Sequence, residues 1–112
     1  MDDDLIKSVE KEFPILTAEF KRIQEEQYIL FIKKHHDYGL KNISFGEDIT
    51  CEDGRKIPII GLVIRMRDKM ERLVNLIIGG KKNLITERVT DTFQDLSIYA
   101  IIAQIVNNGK WL

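Results

Sequence analysis

The chain has 112 residues, 44% of them apolar and 31% charged, with a net charge of −1. That is the make-up of one ordinary globular domain, expected over 1–112 and long enough to bury a core. The near-neutral balance makes nucleic acid an unexpected partner, because such binders carry a basic surplus. The lone Cys51 excludes an internal disulfide and paired-cysteine zinc sites.

The opening "MDDDLIKSVEKEF" has no apolar segment of the signal-peptide kind. Its carboxylates suit a helix N-terminus, and Pro14 stops or kinks that short helix. Thr17 is the expected N-cap of a second helix running from about Thr17 to His36. Phe20, Ile23, Gln27, Leu30 and Phe31 recur there at helical spacing, widened by Tyr28 and Ile32. Residues 39–60 lose that period. Two β-leaning pieces flank Glu52-Asp53-Gly54, a turn signal, so an ordered loop or small β-hairpin is expected.

A third helix is expected from about Ile59 to Ile78, burying Leu62, Met66, Met70, Leu73 and Ile77 and ending at Gly79-Gly80. A fourth is expected from about Thr86 to Val106, stopped by Asn107-Asn108-Gly109. Its half "LSIYAIIAQIV" is apolar nearly all round, which implies a central helix or a subunit interface. The apolar run "IPIIGLVIRM" is too short to span a bilayer. The fold class is therefore all-α: a bundle of about four helices with a loop or hairpin insertion between the second and third. A soluble, intracellular protein is expected.

"KKHHDYG", Lys33 to Gly39, fits the end of the second helix. Histidines favour the negative end of the backbone dipole, and glycine supplies the cap geometry. Adjacent histidines on a helix point about 100° apart, so they do not share one metal. Asp37 opposes the dipole, which leaves Asp37 and Tyr38 as candidates to face a ligand.

Asp68 and Glu71 stand at i, i+3, and Asp91 and Asp95 at i, i+4. If the third and fourth helices pack antiparallel, these carboxylates converge on one cleft, an oxygen-rich set suited to Mg²⁺ and a phosphate. The plain alternative is surface ion pairing with Arg65, Arg67, Lys69 and Arg72, and a favourable acid at a helix start for Asp91. Asp95 enters the most apolar stretch, where a carboxylate needs a partner. Arg65, Lys69 and Arg72 form a basic stripe suited to phosphate oxygens or to plain solvent. Phe45, in "SFGED", is a loop aromatic able to stack on a base or plug the bundle. "WL" at the end is expected to pack on the core.

The order of "KKHHDYG", "GLVIRMRDKMERLVNLI" and "VTDTFQDLSIYAIIA" resembles the nucleotide-modification-associated domain 1 family of phages and bacteria. The specific parts are Asp37-Tyr38-Gly39, then Asp68, Lys69, Arg72 and Leu73, then Asp91, Asp95 and Tyr99. The family is distantly similar to MazG-like all-α nucleoside triphosphate pyrophosphatases. Those hold magnesium with E-x-x-E on one helix and E-x-x-D on a later one. Here Asp68 replaces the first glutamate, and Thr92 stands where the second pair should begin.

The resemblance implies a cytoplasmic, homo-oligomeric, phage-type nucleotide-binding protein that is a Mg²⁺-dependent pyrophosphohydrolase. Asp68, Glu71, Asp91 and Asp95 would hold the metal. Lys69, Arg72 and Arg65 would meet phosphate, with Asp37, Tyr38, Phe45 and Tyr99 around the ligand. The missing glutamate at Thr92 supports an alternative. In that reading the protein is a non-catalytic oligomeric sponge that sequesters a cyclic nucleotide immune signal.

Overall fold

Pro14 divides the first helical run in two. The computed structural model describes residues 1–84 and 87–112. Helix α1 spans Asp2–Glu12 and α2 spans Pro14–Tyr38. Phe13 between them leaves helical geometry at φ −126°, ψ 67°, because the proline ring disfavours the α region for the residue before it. Pro14, preset for a first helical position, starts α2. Thr17 is therefore not the cap expected from the sequence. It lies inside the helix, and its Oγ1 donates to the Phe13 carbonyl at 2.7 Å. At the far end Gly39 adopts φ +70° and its N–H reaches the His35 carbonyl at 2.8 Å. "KKHHDYG" is thus a helix C-terminus.

By internal contacts the chain divides into two units, Met1–Lys34 and His35–Leu112. In the first, Lys21 Nζ meets Glu10 at 2.7 Å across the Phe13–Pro14 break. No residue of α1 or α2 is buried. The second unit contains the end of α2, a short α3 (Lys41–Ser44), α4 (Glu52–Leu73), a π-helical turn (Val74–Ile78) and α5 (Val89–Asn107). The expected start of the last helix, Thr86, lies outside the described residues.

The stretch expected as a loop or hairpin forms no strand. A turn follows α3, and α4 begins at Glu52, well before the expected Ile59. Asp53-Gly54 belongs to the first turn of α4. Glycine is needed there for close approach: a Cβ at residue 54 would lie 1.6 Å from the Asp48 carbonyl oxygen. Cys51, in extended backbone, precedes the helix, and Glu52 and Asp53 complement its dipole.

The core lies where α4 packs on α5. Ile98, Ile102 and Val106 step by four along α5 and are buried, as are Leu62 and Leu73 of the α4 helix that packs on it. The apolar α5 is thus a central helix of this unit, although Ile101 remains 48% exposed. Two residues of the expected α4 stripe are exposed. Met70 is displaced because Lys69 takes the position facing α5. Ile77 falls in the π-turn, whose wider winding leaves the α-helical register. Of the C-terminal pair, Trp111 is buried as expected and Leu112 stays exposed. The Trp111 Nε1 donates to the Leu40 carbonyl at 3.1 Å, and its ring meets His35 edge-on at 5.2 Å. Among the described residues no helix is long and apolar enough to cross a membrane.

Candidate functional site

The charged run "RMRDKMERL" winds twice round the C-terminal half of α4, so its residues point in several directions. Lys69 points toward α5. Its Nζ lies 2.8 Å from Glu87 Oε1 and 3.1 Å from Asp95 Oδ2. Arg72, one turn on, places Nε 3.2 Å from Glu87 Oε2, while Nη2 donates to Asn83 Oδ1 at 3.0 Å and to the Glu87 carbonyl at 3.1 Å. These four charged side chains are only 17–24% exposed. Partial burial pulls the Lys69 ammonium down, but the hydrogen bonds it donates to Glu87 and Asp95, and the attraction of their charges, outweigh it and hold Lys69 above the ordinary lysine value of 10.5. The cluster braces α4 to the connector and to α5. It supplies the partner that Asp95 requires at the edge of the apolar stretch.

Asp91 has a different task. Its Oδ2 accepts the Arg88 backbone N–H at 3.2 Å and its Oδ1 accepts Arg88 Nη2 at 3.0 Å, so its carboxylate satisfies a backbone donor at the start of α5. Thr92, beside it, is fully buried and donates to the Arg88 carbonyl at 3.3 Å.

Asp68 and Glu71 lie on the exposed side of α4. With Arg72, Asn75, Leu76, Lys81 and Lys82 they line an open groove of about 380 Å³. The chain reversal after the π-turn builds that groove. The Gly79 N–H closes on the Val74 carbonyl at 2.8 Å, Gly80 turns at φ +64°, and the Lys81 N–H returns to the Asn75 carbonyl at 3.0 Å. Only glycine takes such a positive φ without strain. Lys81 and Lys82 are thereby carried back beside the helix end.

The four carboxylates expected in one cleft therefore separate. Asp68 and Glu71 share the groove, Asp91 caps a helix, and Asp95 lies on Lys69. Among the described residues no three His, Cys, Asp or Glu side chains are grouped to hold a metal ion. Of the expected ligand-facing residues, Arg72 lines the groove. Lys69 faces two carboxylates. Arg65 Nη2 donates to the Asn42 carbonyl at 2.8 Å, and its guanidinium lies 5.8 Å from the Tyr99 ring centre, so both brace the fold. Asp37 and Tyr38 are exposed at the end of α2, with Asp37 Oδ1 3.1 Å from His36 Nδ1.

Phe45 caps α3 in the left-handed region at φ 55°, and 56% of it is exposed. Its ring lies against Gly61 of α4, where a Cβ would come 3.2 Å from Cε2. Three contributors escaped sequence reasoning: Glu87, Lys81 and Lys82. The available signal for Glu87 was an acid just before α5, opposite two cations spaced i, i+3 on α4.

A second groove, of about 430 Å³, lies at Glu52, Arg55, Lys56, Ile59, Ile60 and Asn107. Arg55 there is turned to the Ile49 carbonyl at 3.1 Å. The chain matches no family model, no curated protein and no solved structure.

Proposed function

We propose that this chain is a nucleotide-binding protein of phage type, acting in the host cytoplasm, and that the groove at the end of α4 receives the phosphates. One observation carries the reading: Lys81 and Lys82 return to Arg72, so three cationic side chains line one groove. Clustered ammonium groups and a guanidinium are a general solution for phosphate oxygens. Arg72 is already held by Glu87 and Asn83, so the lysines supply the mobile charge and Arg72 fixes the wall. Phe45 or Tyr38, both exposed aromatics, are the proposed partners of the base.

Asp68 and Glu71, on the same groove, fit Mg²⁺, which is commonly bound by one or two carboxylates together with substrate phosphates and water. Bound there, the ion would neutralise phosphate charge and polarise phosphorus, as pyrophosphohydrolysis requires. The second reading is a sponge that binds a nucleotide signal and leaves it intact. It is favoured by the engagement of Asp91 with Arg88 and of Asp95 with Lys69, which leaves two groove carboxylates rather than four.

Thermal-shift titration with nucleoside triphosphates and cyclic dinucleotides, with Mg²⁺ and with chelator, tests the binding claim. Recovery of the ligand by chromatography separates the two readings. Metal-dependent pyrophosphate release supports the hydrolase, and intact ligand with tight binding supports the sponge. No shift with any of them contradicts both.

A further inference from the structure

We infer that the outer face of α4 is a docking surface for an amphipathic helix of another protein, one whose carboxylates bracket its aliphatic residues. This stands apart from the nucleotide reading and rests on other residues. Leu62 is buried on the inner side of α4, whereas Ile57, Ile60, Val63 and Ile64, turned the other way, are each 52–57% exposed. Four branched aliphatic side chains so close on one helix face form a contiguous apolar patch, the kind that marks an interaction surface.

The spacing specifies a helix as the occupant. Asp53, Lys56, Ile60, Val63, Arg67 and Met70 follow alternating steps of three and four, the seam spacing by which one helix packs along another. All six are exposed. Beside Ile60 the surface dips into the groove of about 430 Å³ that Ile59 and Asn107 also line. That recess suits one aliphatic anchor of a partner helix.

Charge selects the partner. Lys56 and Arg67 bracket Ile60 and Val63 and stand three helical turns, about 16 Å, apart. Lys56 Nζ lies 2.9 Å from Asp53 Oδ1, in an ion pair exposed on both sides. Such a pair is weak enough to be exchanged for a partner's carboxylate. A second copy of this chain does not fit. Antiparallel pairing centred between Ile60 and Val63 lays Lys56 on Arg67 of the second copy and Asp53 on Glu71 of the second copy. Parallel pairing lays each of these charges on its own counterpart. Both arrangements set like charges together, which opposes association. A helix with carboxylates three turns apart and aliphatic residues between them meets both cations and covers the patch.

Fluorescence anisotropy on the full chain, with a labelled, alanine-rich helical peptide of eighteen residues, tests the inference. The probe carries glutamates at its third and fourteenth positions and leucines at its seventh and tenth. A control peptide carries lysines in place of the glutamates. Wild type is expected to bind the acidic probe at tens of micromolar and the basic control at least tenfold more weakly. Ile60→Asp should weaken binding of the acidic probe at least tenfold with the helical circular-dichroism signal retained, because Ile60 is exposed. Lys56→Glu with Arg67→Glu should reverse the preference between the two peptides, which a loss of fold cannot do. No binding of the acidic probe at millimolar protein, equal binding of both peptides, or an unreversed preference would each overturn the inference. So would a dimer in analytical ultracentrifugation, or binding to phosphatidylserine vesicles, that Ile60→Asp abolishes, because either gives the face a different occupant.

Discussion

The α1–α2 arm and the α4–α5 pair are made of the same material and end in opposite states. In both, apolar side chains recur every three or four residues. On α5 that recurrence is matched by α4, and Ile98, Ile102 and Val106 disappear into a core. On α2 no residue is buried, and Phe20 stays 66% exposed. Periodicity identifies the stripe, and only the neighbouring element decides whether it becomes a core or a surface. Substitutions should therefore cost much more folding free energy in the α4–α5 pair than on the exposed stripe of α2.

The largest expected effect is at Gly54. A Cβ there would overlap the Asp48 carbonyl oxygen, which is backbone and cannot rotate away. Gly54→Ala should cost about 3 kcal/mol or more in chemical denaturation. Val106→Ala, at a site with 0% exposure, should cost about 2 kcal/mol through lost burial and a residual cavity. Lys69→Ala leaves Glu87 and Asp95 facing each other without their shared cation, and should cost about 1–3 kcal/mol. Phe20→Ala, on α2, should change the unfolding free energy by no more than about 0.5 kcal/mol. A large loss there would erase the contrast between the two regions.

The Lys69 cluster also sets a pH signature. The folded-state pKa of Lys69 lies above 10.5. Its contribution to stability is thus fully present below that value and is lost as pH rises through the raised one. Thermal denaturation should show wild type losing more stability than Lys69→Met between neutral pH and the alkaline end. Parallel curves would contradict the pairing.

The all-α class was legible because apolar spacing and helix punctuation are local. Gly39, Gly80 and Gly109 all turn with positive φ where the sequence indicated a stop. Gly54 misled for a physical reason. A glycine that relieves a turn and one that admits a distant backbone look identical in sequence, and here Asp48 approaches it. The site was half legible for a similar reason. Asp68, Glu71 and Arg72 form a local i, i+3, i+4 set, so their sharing of one groove follows from helix geometry. The fate of Asp91 and Asp95 depended on Arg88 and Lys69, and the arrival of Lys81 and Lys82 depended on a π-turn that has no clear residue signature.

The central functional claim is that the α4-end groove binds phosphate through its two lysines. Isothermal titration with ATP in chelator, on wild type and on Lys81→Glu with Lys82→Glu, tests it most directly. Both lysines are exposed, so the substitutions leave the fold intact. The account predicts measurable binding by wild type and a loss of at least tenfold in the variant. Equal affinity in the two proteins would contradict it.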